Sequence, residues 1–400
     1  MKKLLALLLA LCMVFALCAC GTTTPTEPLE PSEPASGNPV VKIGIFEPAS
    51  GDNVAGGKQE TLGVQYANSV CPTVEIAGTT YDVELVAVDN ESSNDKAPSA
   101  ASTLVNAGVS IVLGSYGSSV AIAGGPTFEA AGIPVMGITC TNPQVTEGNG
   151  YYFRICFLDP FQGTVLANYA YNELGVTKAY CLSKLGDDYS GGLVKYFVEA
   201  FEGLGGECVE ETFPDGNSDF TSYVANAKNA DCGVFYSPVS IEAAQLIIDQ
   251  VVAQGATFPL LAGDTWDSNV ILQAAKGKDV SITVTTFYPE GANPEFDAGC
   301  KEWINSDPKN LANNNGDDTI SAVTAMGYDA YFVALEAMKA AGSIEPADVM
   351  AALWNVQYDG VSGHIAFDSV NGDAIRNTAF VKQANTADGT WTALPEVTIG

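Results

Sequence analysis

Cations are scarce in this chain. Seventeen lysines and arginines face 47 acids across 400 residues, for a formal net charge of −30. So acidic a surface repels nucleic-acid phosphates and anionic lipid headgroups, which excludes nucleic-acid binding. Histidine is scarcer still: His364, between Gly363 and Ile365, stands alone and reads as structural. One histidine without clustered thiols argues against a zinc site. A Ser-His-Asp triad would have to join His364 to Ser118, far away along the chain. The motifs G-x-S-x-G, G-x-x-x-x-G-K-[ST] and H-E-x-x-H are all missing, so hydrolase and nucleotide-binding signatures are missing too. These absences describe a binder with no cofactor and no metal, not an enzyme. The ten cysteines form no C-x-x-C pair; Cys12, Cys18 and Cys20 sit at the start, leaving seven, an odd number. Cys156, Cys181 and Cys232 lie in apolar runs and read as small core residues. Cys181 and Cys208, on consecutive predicted strands, are the candidate disulfide pair.

What is present begins with a leader. Residues 1–20 read MKKLLALLLALCMVFALCAC: two lysines, an unbroken apolar stretch, then small residues. That is a secretory signal peptide. A membrane span fits less well, because small residues and a polar linker follow with no positive flank. Leu17-Cys18-Ala19-Cys20 before Gly21 resembles a bacterial lipobox, which makes Cys20 the lipidated residue of a membrane-anchored, extracytoplasmic protein. Residues 21–39 hold five prolines and little apolar bulk, so they form a flexible tether.

The remaining chain, about 360 residues, exceeds one compact core and predicts two lobes. Apolar strand patterns alternate with helical ones. The first four strands are placed at 40–46, 81–88, 109–113 and 133–138, with helices at 58–70, 95–106 and after Ser118. Further strands are expected at 178–182, 207–213, 232–236, 259–262 and 281–287, then helices at 294–305 and 319–341. Gly108, Gly132, Gly175, Gly205 and Gly255 each stand where a left-handed residue would end a helix and turn the chain into a strand. The alternation predicts α/β architecture with doubly wound parallel sheets.

The stretch from Gly114 to Pro143 organises the functional reading. Ser118 and Ser119 open a helix there, and Ser118 fits an N-cap. The free N–H groups and dipole of the same helix end also attract a carboxylate. One βα unit later the next strand ends in Thr139-Cys140-Thr141. Two hydroxyl clusters thus share the sheet edge where open α/β sheets bind ligands. Tyr116, Phe161, Tyr189, Tyr236, Trp266 and Phe287 recur at strand ends or loops, as candidates for the apolar wall of a pocket.

Taken in order, Lys42-Ile43-Gly44, 51–60 (GDNVAGGKQE), 114–119, Gly132-Ile133-Pro134, Thr141-Asn142-Pro143, Tyr152-Phe153-Arg154, 159–163 (DPFQG), 187–192 (DDYSGG) and 263–267 (GDTWD) resemble the leucine/isoleucine/valine-binding proteins. Those are amino-acid-binding components of ABC importers with the type I periplasmic binding protein fold. The resemblance implies two lobes closing on an amino acid, with crossovers near Leu158, Thr285 and Asn377. One lobe would be residues 40–158 with 286–377, the other 159–285 with 378–400. It also implies a ligand carboxylate at Ser118, with Thr139, Cys140 and Thr141 alongside and Tyr189 over the ligand. Tyr116 and Tyr236 complete the expected aromatic wall. Where the family carries a glutamate for the ammonium this chain has Thr265, flanked by Asp264 and Asp267, either of which could replace it. Ser92 and Gly117 stand where the family's disulfide would be. The partners implied are an amino acid, branched-chain by that likeness, and ABC permease subunits, the protein itself being monomeric. The alternatives are a ligand sensor acting on a receptor, or a binder of an amide or aromatic acid.

Overall fold

The computed structural model describes residues 37–376, 378–395 and 397–398. The leader with Cys20, and the tether up to residue 36, lie outside them. The first sheet is built from β1 (Val40–Glu47), β2 (Thr73–Ile76), β3 (Thr79–Asp89), β4 (Ile111–Leu113), β5 (Val135–Gly137) and β6 (Tyr152–Arg154). Their order is β2-β3-β1-β4-β5-β6, parallel except for β2. The second sheet holds β7 (Lys178–Lys184), β8 (Glu207–Phe213), β9 (Val234–Tyr236), β10 (Leu260–Ala262) and β11 (Ile282–Thr286) in parallel. A hairpin of β12 (Gln357–Gly360) and β13 (Gly363–Ala366) stands apart. Then β14 (Thr378–Asn385) and β15 (Thr390–Ala393) extend the second sheet antiparallel beyond β11, and β16 (Val397–Thr398) pairs with β14. Among the described residues no strand after β6 joins the first sheet, but the helix Ala322–Ala341 packs back against Val54–Val70 of that half before β14 rejoins the second sheet. Asn377, just before β14, lies outside the described residues.

The central strands are apolar on both faces because helices cover both faces of a parallel sheet. Ile43 and Ile45 of β1 and Ile111 and Leu113 of β4 are buried in one core cluster. Leu104, Val112 and Phe128 belong to another on the opposite side. The helix Val54–Val70 packs closely on Ala322–Ala341. A Cβ on Gly63 would stand 2.0 Å from the Thr324 carbonyl, and one on Gly327 2.3 Å from the Glu60 carbonyl. Only glycine allows two backbones to approach so nearly. The contact seats Glu60, which is fully buried, beneath the helix pair.

The five junction glycines all adopt positive φ, between 57° and 98°. Each ends its helix as the pattern predicts. Two local expectations are corrected. Ser118 does not cap its helix: the helix Ser118–Ala131 has Gly117 at its N-cap, at φ 104°, and no side-chain cap. The positive φ that Gly117 adopts as glycine leaves Ser118 one position inside, where its oxygen instead accepts from the Asn142 N–H at 3.1 Å. β2, unforeseen, is a four-residue edge strand; the turn at Ala77 and Gly78, both at positive φ, folds it back on β3. All seven cysteines among the described residues are free. Cys181 and Cys208 are neighbours, and burial first, then Cys208, pushes the Cys181 thiol well above its ordinary range. They remain unbonded.

Candidate functional site

The ends of β4 and β5 face the loop after β10 and the start of the helix Asp188–Gly203 across a cavity of about 380 Å³. Tyr116, Gly117, Ser119 and Thr139 line it from the first sheet; Tyr189, Asp264 and Thr265 line it from the second. Polar contacts join the two sides. The Tyr116 hydroxyl donates to the Thr265 carbonyl at 3.4 Å. Ser119 Oγ donates to Asp187 at 3.1 Å and accepts from the Asp188 N–H at 2.7 Å. At the rim, Lys184 Nζ meets Asp52 at 2.7 Å and Asp215 at 2.6 Å. The cavity is therefore enclosed by both halves.

Of the residues expected at the site, Tyr116, Thr139, Tyr189 and Asp264 are brought together on its wall. Asp264 is almost wholly buried. Its Oδ1 accepts from Gln162 Nε2 and from the Tyr189 hydroxyl, both at 2.9 Å, and its N–H donates to Gln162 Oε1 at 2.8 Å. Burial pushes its pKa up to about 6, against the pull of those hydrogen bonds. Among the described residues no cation neutralises it. A buried carboxylate without a counter-ion is costly, and a ligand ammonium would relieve that cost.

The other expected residues stand elsewhere. Asp267 is not on the wall, because Lys382 already holds it: Nζ lies 2.8 and 3.1 Å from its two oxygens, and the Thr286 hydroxyl donates to it too. Both partners are buried, so this acid is spoken for. Tyr236 is fully buried in the second half, its ring stacked on Phe197 at 4.1 Å. The Cys140 thiol is buried against Gly137, and burial pushes it up to about 12. Ser118 and Thr141 are wholly buried behind the wall.

Four functional-looking acids escaped the sequence reading. Glu47 and Glu60 lie side by side under the first wall, each with one Oε1 that meets no donor. Glu47 Oε2 accepts from the Tyr116 N–H at 2.7 Å, and Glu60 Oε2 from the Thr139 hydroxyl at 2.5 Å. Asp159 opens the helix Asp159–Asn168, fully buried, with neither oxygen meeting a donor. Burial pushes it up to about 8; Thr141 lies near enough to soften the shift, but outside hydrogen-bond geometry. Asp187 caps the helix after it through Ser190. One signal was available for Glu60: it shares a helical face with Gly56, Gly63 and Ala67, a stripe of small residues where a charge has no water.

The chain matches a family model described as "Periplasmic binding protein" over residues 40–390. Leu/Ile/Val-binding protein homolog 1 of Brucella suis biovar 1 is 28% identical over 355 residues, covering 87% of this chain and 92% of that protein. The leucine-binding protein LivK of Thermotoga maritima has a crystal structure that is 30% identical, with TM-score 0.79, over 90% of this chain and 99% of that one. LivJ of Streptococcus pneumoniae, solved with isoleucine, is 25% identical, with TM-score 0.78, over 90% of this chain and all of that one.

Proposed function

Because the chain belongs to the periplasmic binding protein family, we propose that its cleft holds an amino acid, with branched-chain amino acids the first candidates, and delivers it to an ABC permease. The fold is of the type I periplasmic binding class, and members of the family are substrate-binding components, not enzymes. The lobes of the clamp would be residues 40–158 with 286–377, and 159–285 with 378–400. The observation that carries the reading is Asp264, buried on the cavity wall with no cation beside it among the described residues. It suits an ammonium. Gly117, Ser119 and Val120 line the opposite side at the start of a 14-residue helix; N–H groups in a first turn have no partner within the helix and attract a carboxylate. The two features together fit a zwitterion. An aromatic acid lacks the ammonium, and would meet Asp264 with like charge.

A thermal-shift screen of the soluble domain against amino acids tests this. A ligand at about 100 times its Kd adds about 2.7 kcal/mol of stability. Calorimetric titration of Asp264→Asn with the best ligand should then show binding weakened by roughly ten- to a hundredfold, as expected for a hydrogen bond to a charged group. Asp267→Asn should lower stability instead, because it strands Lys382. Equal affinity of Asp264→Asn and wild type would remove the amino-acid reading and leave the fold.

The anchor belongs to the same proposal. With Cys20 lipidated, the tether would hold a monomeric binding domain at the outer face of the membrane. Cys20→Ser should then accumulate as the longer precursor and lose the lipid-dependent gel shift. Unchanged mobility and fractionation would rule out lipidation at that residue.

A further inference from the structure

The first wall of the cleft is backed by two carboxyl groups that no established role uses. Thr139 is the only hydroxyl among the expected site residues that both lines the cavity and touches an acid behind it. Its hydrogen is committed inward, to Glu60 Oε2, so its lone pairs face the cavity. Glu60 in turn lies against Glu47, and the Oε1 of each meets no donor. Two adjacent buried carboxyls cannot both be ionised; they hold a proton between them. Resting on the amino-acid reading above, we propose that the Glu47–Glu60 pair, acting through the Thr139 hydroxyl, makes this wall an acceptor for the ligand's ammonium. The pair are positioning residues, and Thr139 is the group that touches the ligand.

The chemistry follows from where the protons sit. With one proton on the pair, Glu47 donates to Glu60, Glu60 accepts from Thr139, and Thr139 offers oxygen to the cleft. Asp264 offers a second acceptor from the opposite side. With two protons, Glu60 itself becomes a donor to Thr139, whose hydroxyl hydrogen then turns outward and repels an ammonium. Burial raises Glu60 to about 7 and Glu47 well above its ordinary value, Glu60 itself adding to the latter. The titratable groups bearing on the pair are Asp264 across the cavity, Cys140 and Tyr152 on the sheet, and Tyr116 above it. No cation is among them. Ammonium binding should therefore expel the second proton, and affinity should fall as the pH drops through about 7.

The test is calorimetric titration with L-leucine between about pH 5 and pH 8, a range in which leucine stays a zwitterion. Wild type should lose affinity on acidification, by up to about tenfold per pH unit below the pair's transition, with proton release at neutral pH. Asp264 adds a second loss near 6. Glu60→Gln should keep only that lower step, and so should Thr139→Val, which leaves the carboxyl pair in place if the glutamine variant fails to fold. 4-Methylpentanoate, which has the carboxylate without the ammonium, should bind more tightly in acid. The same pH profile in wild type and both variants would overturn the proposal. An infrared titration of the empty protein separates this from the ligand reading. Asp159 also keeps a proton at neutral pH, so the readout is the change in band intensity. A protonated-carboxyl band that weakens in Glu47→Gln but persists in Asp159→Asn supports the pair, and equal intensity in wild type and Glu47→Gln overturns it. If L-leucine fails to bind at all, the branched-chain reading falls, and the infrared result alone decides.

Discussion

Arg154→Ala is expected to cost about 3–5 kcal/mol of unfolding free energy, the usual loss when one partner of a buried pair is removed. Arg154 sits at the end of β6 with no exposed surface. Its Nε donates to Asp373 at 2.6 Å, its Nη1 to the carbonyls of Cys140 at 2.9 Å and Asn142 at 2.5 Å, and its Nη2 to the Thr146 hydroxyl at 3.1 Å. One side chain thus satisfies the backbone of the loop after β5, and ties it to the segment after β13. The alanine strands an acid and two carbonyls at once. Urea unfolding with an unchanged m-value would report the loss cleanly. Replacing both partners, as Arg154→Met with Asp373→Leu, should recover much of it, because no buried charge then remains. A single mutant within about 1 kcal/mol of wild type would mean that water reaches the site. Ligand affinity should fall as well, since the loop that starts at Thr139 loses its brace.

The empty protein should be most stable in mild acid and should weaken as the pH rises towards 8. Burial raises Asp264 to about 6, Glu60 to about 7 and Asp159 to about 8, with Glu47 also well above its ordinary value. For each, the folded chain keeps a proton that the unfolded chain has already released above about pH 4. Stability falls with pH wherever the native state binds more protons, so this contribution is present at low pH and is lost as the pH climbs through each folded value. Asp159 is pushed further than Asp264 or Glu60, and among the described residues no charged group is in contact with it. Asp159→Asn should therefore gain on the order of 4–5 kcal/mol at pH 8 and only about 1–2 kcal/mol at pH 5. Urea midpoints of both proteins across that range check the sign. A wild-type stability that rises between pH 5 and pH 8 would contradict it, and so would an asparagine variant weaker than wild type at pH 8.

The binding reading was legible in ordered local signals. The glycines at 108, 132, 175, 205 and 255 mark helix ends because their left-handed conformation is a property of a few adjacent residues. Alternating strand and helix patterns follow from the same short-range periodicity, and with them the two parallel sheets. Asp264 was legible as well, as an acid beside the position where the family's glutamate is missing.

What lay beyond the sequence was the partner of each polar group. Nothing near Asp267 in the chain announces Lys382, which is 115 residues away, yet that contact removes Asp267 from the cleft. Ser118 and Thr141 looked like wall residues, but one supports the Asn142 N–H and the other lies beside Asp159, both under the surface. Glu47 and Glu60 are 13 positions apart and look like ordinary acids of a loop and a helix. Only the approach of the helix Val54–Val70 to Ala322–Ala341, permitted by Gly63 and Gly327, seats Glu60 beside Glu47. The sequence by itself determined most of the helices and parallel strands, which rest on periodicity and on glycine's conformational freedom, and the family, which rests on motifs in order. The tertiary structure alone decided which acids face the ligand, which are neutralised and which share a proton, because desolvation and pairing depend on distances between residues that the chain keeps far apart.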